Sequence, residues 1–158
     1  MLSSIARETK TSYFGLIIPN LALMEKKKYD LEDRLIRFAC TCLDICDLLP
    51  NTKAAQNLAY QLSKSSTASA LIYGEAQAAE SPADFIHKMK MVLKEIRESR
   101  VNLRIIKEKP VINSEKTSIC LNECNELMAI FIKSIETAKN NSRNGDDKGG
   151  DKDHDKKD

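Results

Sequence analysis

Leu31-Glu32-Asp33-Arg34-Leu35-Ile36-Arg37-Phe38-Ala39-Cys40-Thr41-Cys42-Leu43-Asp44-Ile45-Cys46-Asp47-Leu48-Leu49-Pro50 is the stretch that decides the fold. Leu31, Leu35, Phe38, Cys42, Ile45 and Leu49 advance by alternate steps of four and three. That rhythm belongs to an α-helix that buries one stripe along its length. The spacing predicts a helix over about Tyr29 to Leu49. Pro50-Asn51-Thr52 then ends it, because proline lacks a donor and Asn or Thr can cap a following helix.

The same pattern continues downstream. A second helix is predicted from Lys53 to Ala79, with Leu58, Leu62, Ser65 or Ser66, Ser69, Ile72 and Ala76 as its stripe. Its middle, Ser63 to Ala70, is nearly all small residues. A neighbour can approach closely there, but little apolar area is buried, so partners must hold this helix in place. Ser81-Pro82-Ala83-Asp84 opens a third helix: Ser81 can cap, Pro82 suits the first helical position, and Asp84 suits the positive helix end. Phe85, Met89, Val92, Ile96 and Leu103 line its inner face, and it fades before Pro110. A fourth helix is expected from Asn113 or Ser114 to about Asn141, with Cys120, Cys124, Leu127, Phe131 and Ile135 as its seam.

Four long helices joined by short loops give antiparallel neighbours, so the predicted fold is an all-α, up-down-up-down four-helix bundle over residues 29–142. Composition agrees. There are 5 Gly, 4 Pro and no Trp in 158 residues, too little turn chemistry for a β-rich fold. Residues 1–28 read as an N-terminal extension. Residues 1–23 show no clear period, and Met24-Glu25-Lys26-Lys27-Lys28 resembles a natural start. Residues 143–158 read as a Gly/Asp/Lys tail that has no apolar area to bury and is expected to be disordered.

The formal net charge is +2, too small to argue for nucleic acid by itself. No run approaches the ~20 apolar residues needed to span a bilayer, and no membrane partner is expected. Five cysteines, an odd number on helical sequence, argue against a disulfide framework and for a reducing, cytoplasmic setting.

Little of the sequence resembles an active site. There is no Glu-x-x-His pair for a carboxylate di-metal bundle and no Gly-rich phosphate loop. His87 falls near the polar side of the third helix and reads as an exposed structural residue. No catalytic residue, cofactor or small-molecule substrate is expected. Two features remain open. Cys42/Cys46 and Cys120/Cys124 are each spaced i, i+4, and the end of the first helix should lie beside the start of the fourth. Four thiols could converge there on a metal, or simply pack as small hydrophobes. On the third helix Lys90, Lys94, Arg97 and Arg104 fall within an arc of about 80°, joined by Lys88, Arg100 and Lys107. This stripe could track a phosphate backbone, make subunit contacts, or be a solvated face laced by pairs such as Lys94–Glu98. Off-seam apolar residues (Ile36, Ala39, Leu43 and Leu48; Ile86, Met91, Val101 and Ile105) fit either a subunit interface or a broadly buried helix.

Gly74-Glu75-Ala76-Gln77-Ala78-Ala79-Glu80-Ser81-Pro82-Ala83-Asp84-Phe85-Ile86-His87-Lys88-Met89 and Leu93-Lys94-Glu95-Ile96-Arg97-Glu98-Ser99, with Leu58, Gln61, Leu62 and Ser66, carry a family resemblance. They resemble the bacterial four-helix-bundle proteins first noticed as products of intervening sequences in 23S ribosomal RNA genes. The accessory variability protein of diversity-generating retroelements is a related branch. The resemblance extends over about Tyr29 to Asn140. It implies a ring-like homopentamer, a partner that is RNA or a ribonucleoprotein, reverse transcriptase in the related branch, and no established enzymatic activity. Ala79-Glu80 stand where basic residues often precede the serine in that family. The resulting reading is a non-catalytic, homo-oligomeric binding module associated with RNA or the ribosome. The alternatives are a protein–protein scaffold without nucleic acid and, third, a cysteine-ligated metal or redox bundle.

Overall fold

Thr52 and Ser81 show how the sequence sets the helix boundaries in the computed structural model, which describes residues 19–109 and 111–146. Thr52 is extended and its hydroxyl accepts from the Ala55 N–H at 3.2 Å. Ser81 is extended too, and its hydroxyl accepts from the Asp84 N–H at 3.1 Å, with Pro82 opening the helix. Each side chain satisfies a backbone donor that a helix start leaves without a partner. The elements are α1 (Pro19–Asp47), α2 (Lys53–Gln77), α3 (Pro82–Glu108) and α4 (Glu115–Asp146), with no strand among the described residues.

Four boundaries differ from the sequence expectation, one of them the end of α1, which comes at Asp47 rather than Leu49 as the Leu48 N–H turns back to Ile45 O at 3.2 Å. Helix α1 starts at Pro19 rather than Tyr29. Proline is well suited to a first helical position, and Leu-Ala-Leu-Met-Glu-Lys-Lys-Lys has high helix propensity even without a readable stripe. Helix α2 stops at Gln77, two residues before the expected Ala79, as the Ala78 N–H turns back to Glu75 O at 3.1 Å. Helix α4 runs to Asp146 rather than Asn141, because no proline or glycine interrupts it before Gly145 and Arg143 suits the negative helix end. Residues 1–18 of the expected extension and 147–158 of the expected tail lie outside the described residues.

The chain divides into two compact units, residues 1–34 and 35–158. The described part of the first is the opening stretch of α1. The second contains the bundle. Its antiparallel topology follows from which residues meet. Late α1 meets early α2, where Cys46 Sγ–H donates to Ala59 O at 3.4 Å. Late α1 also meets early α4: Lys116 Nζ reaches Asp44 Oδ2 at 2.9 Å. Helices α2 and α3 join through Ser65 Oγ and Ser99 Oγ at 2.7 Å, and α3 and α4 through Arg100 Nε donating to Asn125 Oδ1 at 2.9 Å. Helices α1 and α3 therefore sit at opposite corners, each flanked by α2 and α4.

The expected seams supply most of the core, with Leu31, Leu49, Leu58 and Phe85 of those stripes only half-buried. Leu35, Phe38, Cys42 and Ile45 of α1, Met89, Val92, Ile96 and Leu103 of α3, and Cys120, Cys124, Leu127, Phe131 and Ile135 of α4 are all buried. On α2 the stripe holds at Leu62, Ser65, Ser66, Ser69 and Ala76. It passes through Tyr73 rather than Ile72, and the Tyr73 ring stands edge-on to Phe131 with centroids 5.8 Å apart. Buried Ser66 and Ser69 close their hydrogen bonds on α2 itself, as in Ser69 Oγ–H to Ser66 O at 2.6 Å, while Ser65 and Ser99 also meet each other across the helices.

Candidate functional site

Helix α3 presents its cations because Val92, Ile96, Leu103 and Ile106 turn its other face into the core. The structure sorts the seven expected basic residues by what they touch. Lys88 is held by Asp84, with Nζ–O distances of 2.6 and 2.7 Å, and this contact holds the Asp84 carboxyl below the usual carboxylate range. Lys94 pairs with Glu98 at 3.3 Å and Glu95 at 3.8 Å. Arg104 pairs with Glu108 at 2.8 Å. Arg100 reaches across to Asn125 on α4. Lys90, Arg97 and Lys107 are exposed and make no ion pair among the described residues. With Arg100 and Arg104 they fall within an arc of about 100° on the side of α3 that borders α4. His87 is exposed, as expected.

Beside this row lie apolar groups that stay partly exposed among the described residues. Val101 is 55% exposed, and Ile105 and Met91 are exposed as well. On the opposite corner α1 exposes Ile36, Leu43 and Leu48, while Ala39 is buried and Ile86 on α3 is half-buried. Two outward faces of the bundle thus carry large apolar side chains.

The thiols are brought together in part. Cys42 Sγ and Cys120 Sγ are 3.4 Å apart in the core. The hydrogen bond with Cys120, and burial after it, push the Cys42 thiol far up; burial and the Cys120 thiol do the same to Cys124. Cys46 turns instead to Ala59 O, and burial and Asp47 raise its thiol too. Four thiols do not converge, and among the described residues no group of three or more His, Cys, Asp or Glu is placed to hold a metal ion. One turn from Cys120, the buried Thr117 hydroxyl has no hydrogen-bond partner among the described residues.

Sequence reasoning missed one concavity. An open recess of about 710 Å³ lies at the α2–α3 turn, lined by Ala76, Ala79, Pro82, Phe85, Ala138 and Asn141 among others. The clustered small residues around Ser81-Pro82 were its signal, but the facing α4 residues could not be placed without the fold. Among the described residues no helix is long and apolar enough to cross a membrane.

With this geometry in hand, comparison with known proteins gives a consistent result. The family model for the 23S rRNA-intervening sequence protein matches residues 26–133. A solved Bacteroides thetaiotaomicron protein of unknown function, from the S23 ribosomal protein family, is similar in structure with a TM-score of 0.62 and 27% identity. The match covers 66% of this chain and 97% of that one. No curated protein matches the chain.

Proposed function

Because the chain belongs to the 23S rRNA-intervening sequence protein family, we propose that it is a non-catalytic, homo-oligomeric binding module whose α3 cations hold RNA or a ribonucleoprotein. The observation that carries this reading is the row Lys90, Arg97 and Lys107, which makes no ion pair among the described residues while Lys88, Lys94 and Arg104 are neutralised locally. Exposed cations on a rigid helix bind phosphate by releasing counterions and need no reorganisation to do so. Arg100, half-buried and tied to Asn125, extends the row toward α4.

Self-association rests on the outward apolar faces. Helices α1 and α3 expose Ile36 and Leu43 at one corner and Val101 and Ile105 at the opposite one. Two different faces on opposite sides suit a head-to-tail contact, which closes into a ring when the rotation allows. The five-subunit ring implied by the family resemblance is one such closure.

The test is fluorescence anisotropy of a structured RNA titrated with the full chain at several salt concentrations. Affinity should fall steeply with salt, and the variant Lys90→Glu/Arg97→Glu/Lys107→Glu should bind more weakly, with a log–log salt slope shallower by about 2–3. A second reading has its own support in the exposure of Met91, Val101 and Ile105 beside the cations. On that reading α3 meets protein, and the anisotropy would not respond to RNA at any salt.

A further inference from the structure

We propose that Cys42 and Cys120 are a latent disulfide site that locks α1 to α4 when the protein meets a small-molecule disulfide such as oxidised glutathione. The two sulfurs already lie 3.4 Å apart on facing helices, with both residues essentially fully buried. Closing to a bonded S–S length of about 2.05 Å requires an approach of only about 1.4 Å. Among the described residues the pair belongs to no group of three or more His, Cys, Asp or Glu placed to hold a metal ion, and the row of cations does not involve it. The other cysteines are placed differently. Cys40 is exposed and Cys46 points to Ala59 O.

The exchange balances without a further reagent. A thiolate from one cysteine attacks the small disulfide, forms a mixed disulfide and releases one small thiol. The second cysteine then displaces the other small thiol. Two protein S–H bonds are lost, one S–S bond forms, and the small disulfide is reduced to two thiols. The product is neutral and so suits an apolar core. The attacking species is a thiolate, which the Cys120 hydrogen bond and then burial disfavour at Cys42. Exchange therefore proceeds through brief opening of the α1–α4 seam rather than on the closed bundle. The lock sets when the bundle breathes under oxidising conditions, and it then suppresses that breathing. The bond would join residues 78 positions apart, and the loop-closure argument lowers the unfolding constant by up to about a thousandfold.

The full chain is incubated with oxidised glutathione, quenched by alkylation and mapped by peptide mass spectrometry. The expected result is a Cys42–Cys120 crosslink lacking two hydrogens, with a raised Tm that reductant reverses. The crosslinking rate should rise in sub-denaturing urea, while alkylation of the exposed Cys40 keeps its rate. Cys42→Ser and Cys120→Ser should each abolish the crosslink and Cys124→Ser should keep it. Where a serine variant fails to fold, Cys42→Ala or Cys120→Ala replaces it. Recovery of Cys42 and Cys120 as free thiols, as stable glutathione adducts, or paired with Cys46 or Cys124 would overturn the proposal.

Discussion

Helices α2 and α4 occupy opposite corners of the same bundle and bury their inner faces in opposite ways. Helix α4 contributes bulk: Leu127, Phe131 and Ile135 are buried along one seam, with Cys120 and Cys124 above them. Helix α2 contributes space. Ala55, Ser65, Ser66, Ser69 and Ala76 are buried, and only Leu62 and Tyr73 are large. The two styles are complementary. Small side chains on one helix leave room that large ones on another fill, and the hydroxyls are satisfied by their own helix or by Ser99. Helix α4 should thus be sensitive to truncation and α2 to enlargement.

The largest expected effect tests the α4 half. Phe131→Ala removes a fully buried ring and its edge contact with Tyr73, and should cost about 3–5 kcal/mol in urea unfolding. A cost under about 1 kcal/mol would mean that this corner can collapse and that the contrast is false. The α2 half is tested next. Ser65→Leu inserts bulk where Ser65 meets Ser99 at 2.7 Å, and should cost about 1–3 kcal/mol, whereas the same change at exposed Lys64 should be nearly silent. A stabilised Ser65→Leu protein would show that the serines leave a void rather than fit a neighbour.

The smallest effect lies at the mouth of α3 and sharpens the boundary between core and surface. Lys88 depresses the Asp84 pKa below its unfolded value. The contribution is therefore present above the ordinary carboxylate range and is lost as pH falls through the depressed value. A small Tm difference between the parent and Lys88→Ala should appear near neutral pH and vanish in strong acid. An equal difference at both ends would place the effect in packing rather than charge.

Most of the fold was legible because α1, α3 and α4 carry long apolar runs in steps of three and four. The exception was again α2. Its small residues give a weak period, so the stripe was placed through Ile72 when Tyr73 is the buried residue. The start of α1 and the end of α4 likewise extend past the expected bounds. Propensity alone carries them, with no stripe to mark them. For the candidate site, the cations and local pairs such as Lys94–Glu98 follow from spacing along one helix. Contacts between helices do not. Sequence could place two thiols on each face, but only the register between α1 and α4 shows that Cys42 meets Cys120 while Cys46 turns to α2. Likewise only the packed bundle shows that Ile36 and Val101 are exposed.

The central claim is that the chain assembles through its apolar corners and takes up RNA through the unneutralised row on α3. Light scattering on the full chain, alone and with a structured RNA, tests it most directly when run beside the Lys90→Glu/Arg97→Glu/Lys107→Glu variant. The account predicts a discrete oligomer that gains the mass of RNA in low salt, and a variant that keeps the oligomer and loses the RNA. A monomer, or an RNA complex that the three reversals leave unchanged, would contradict it.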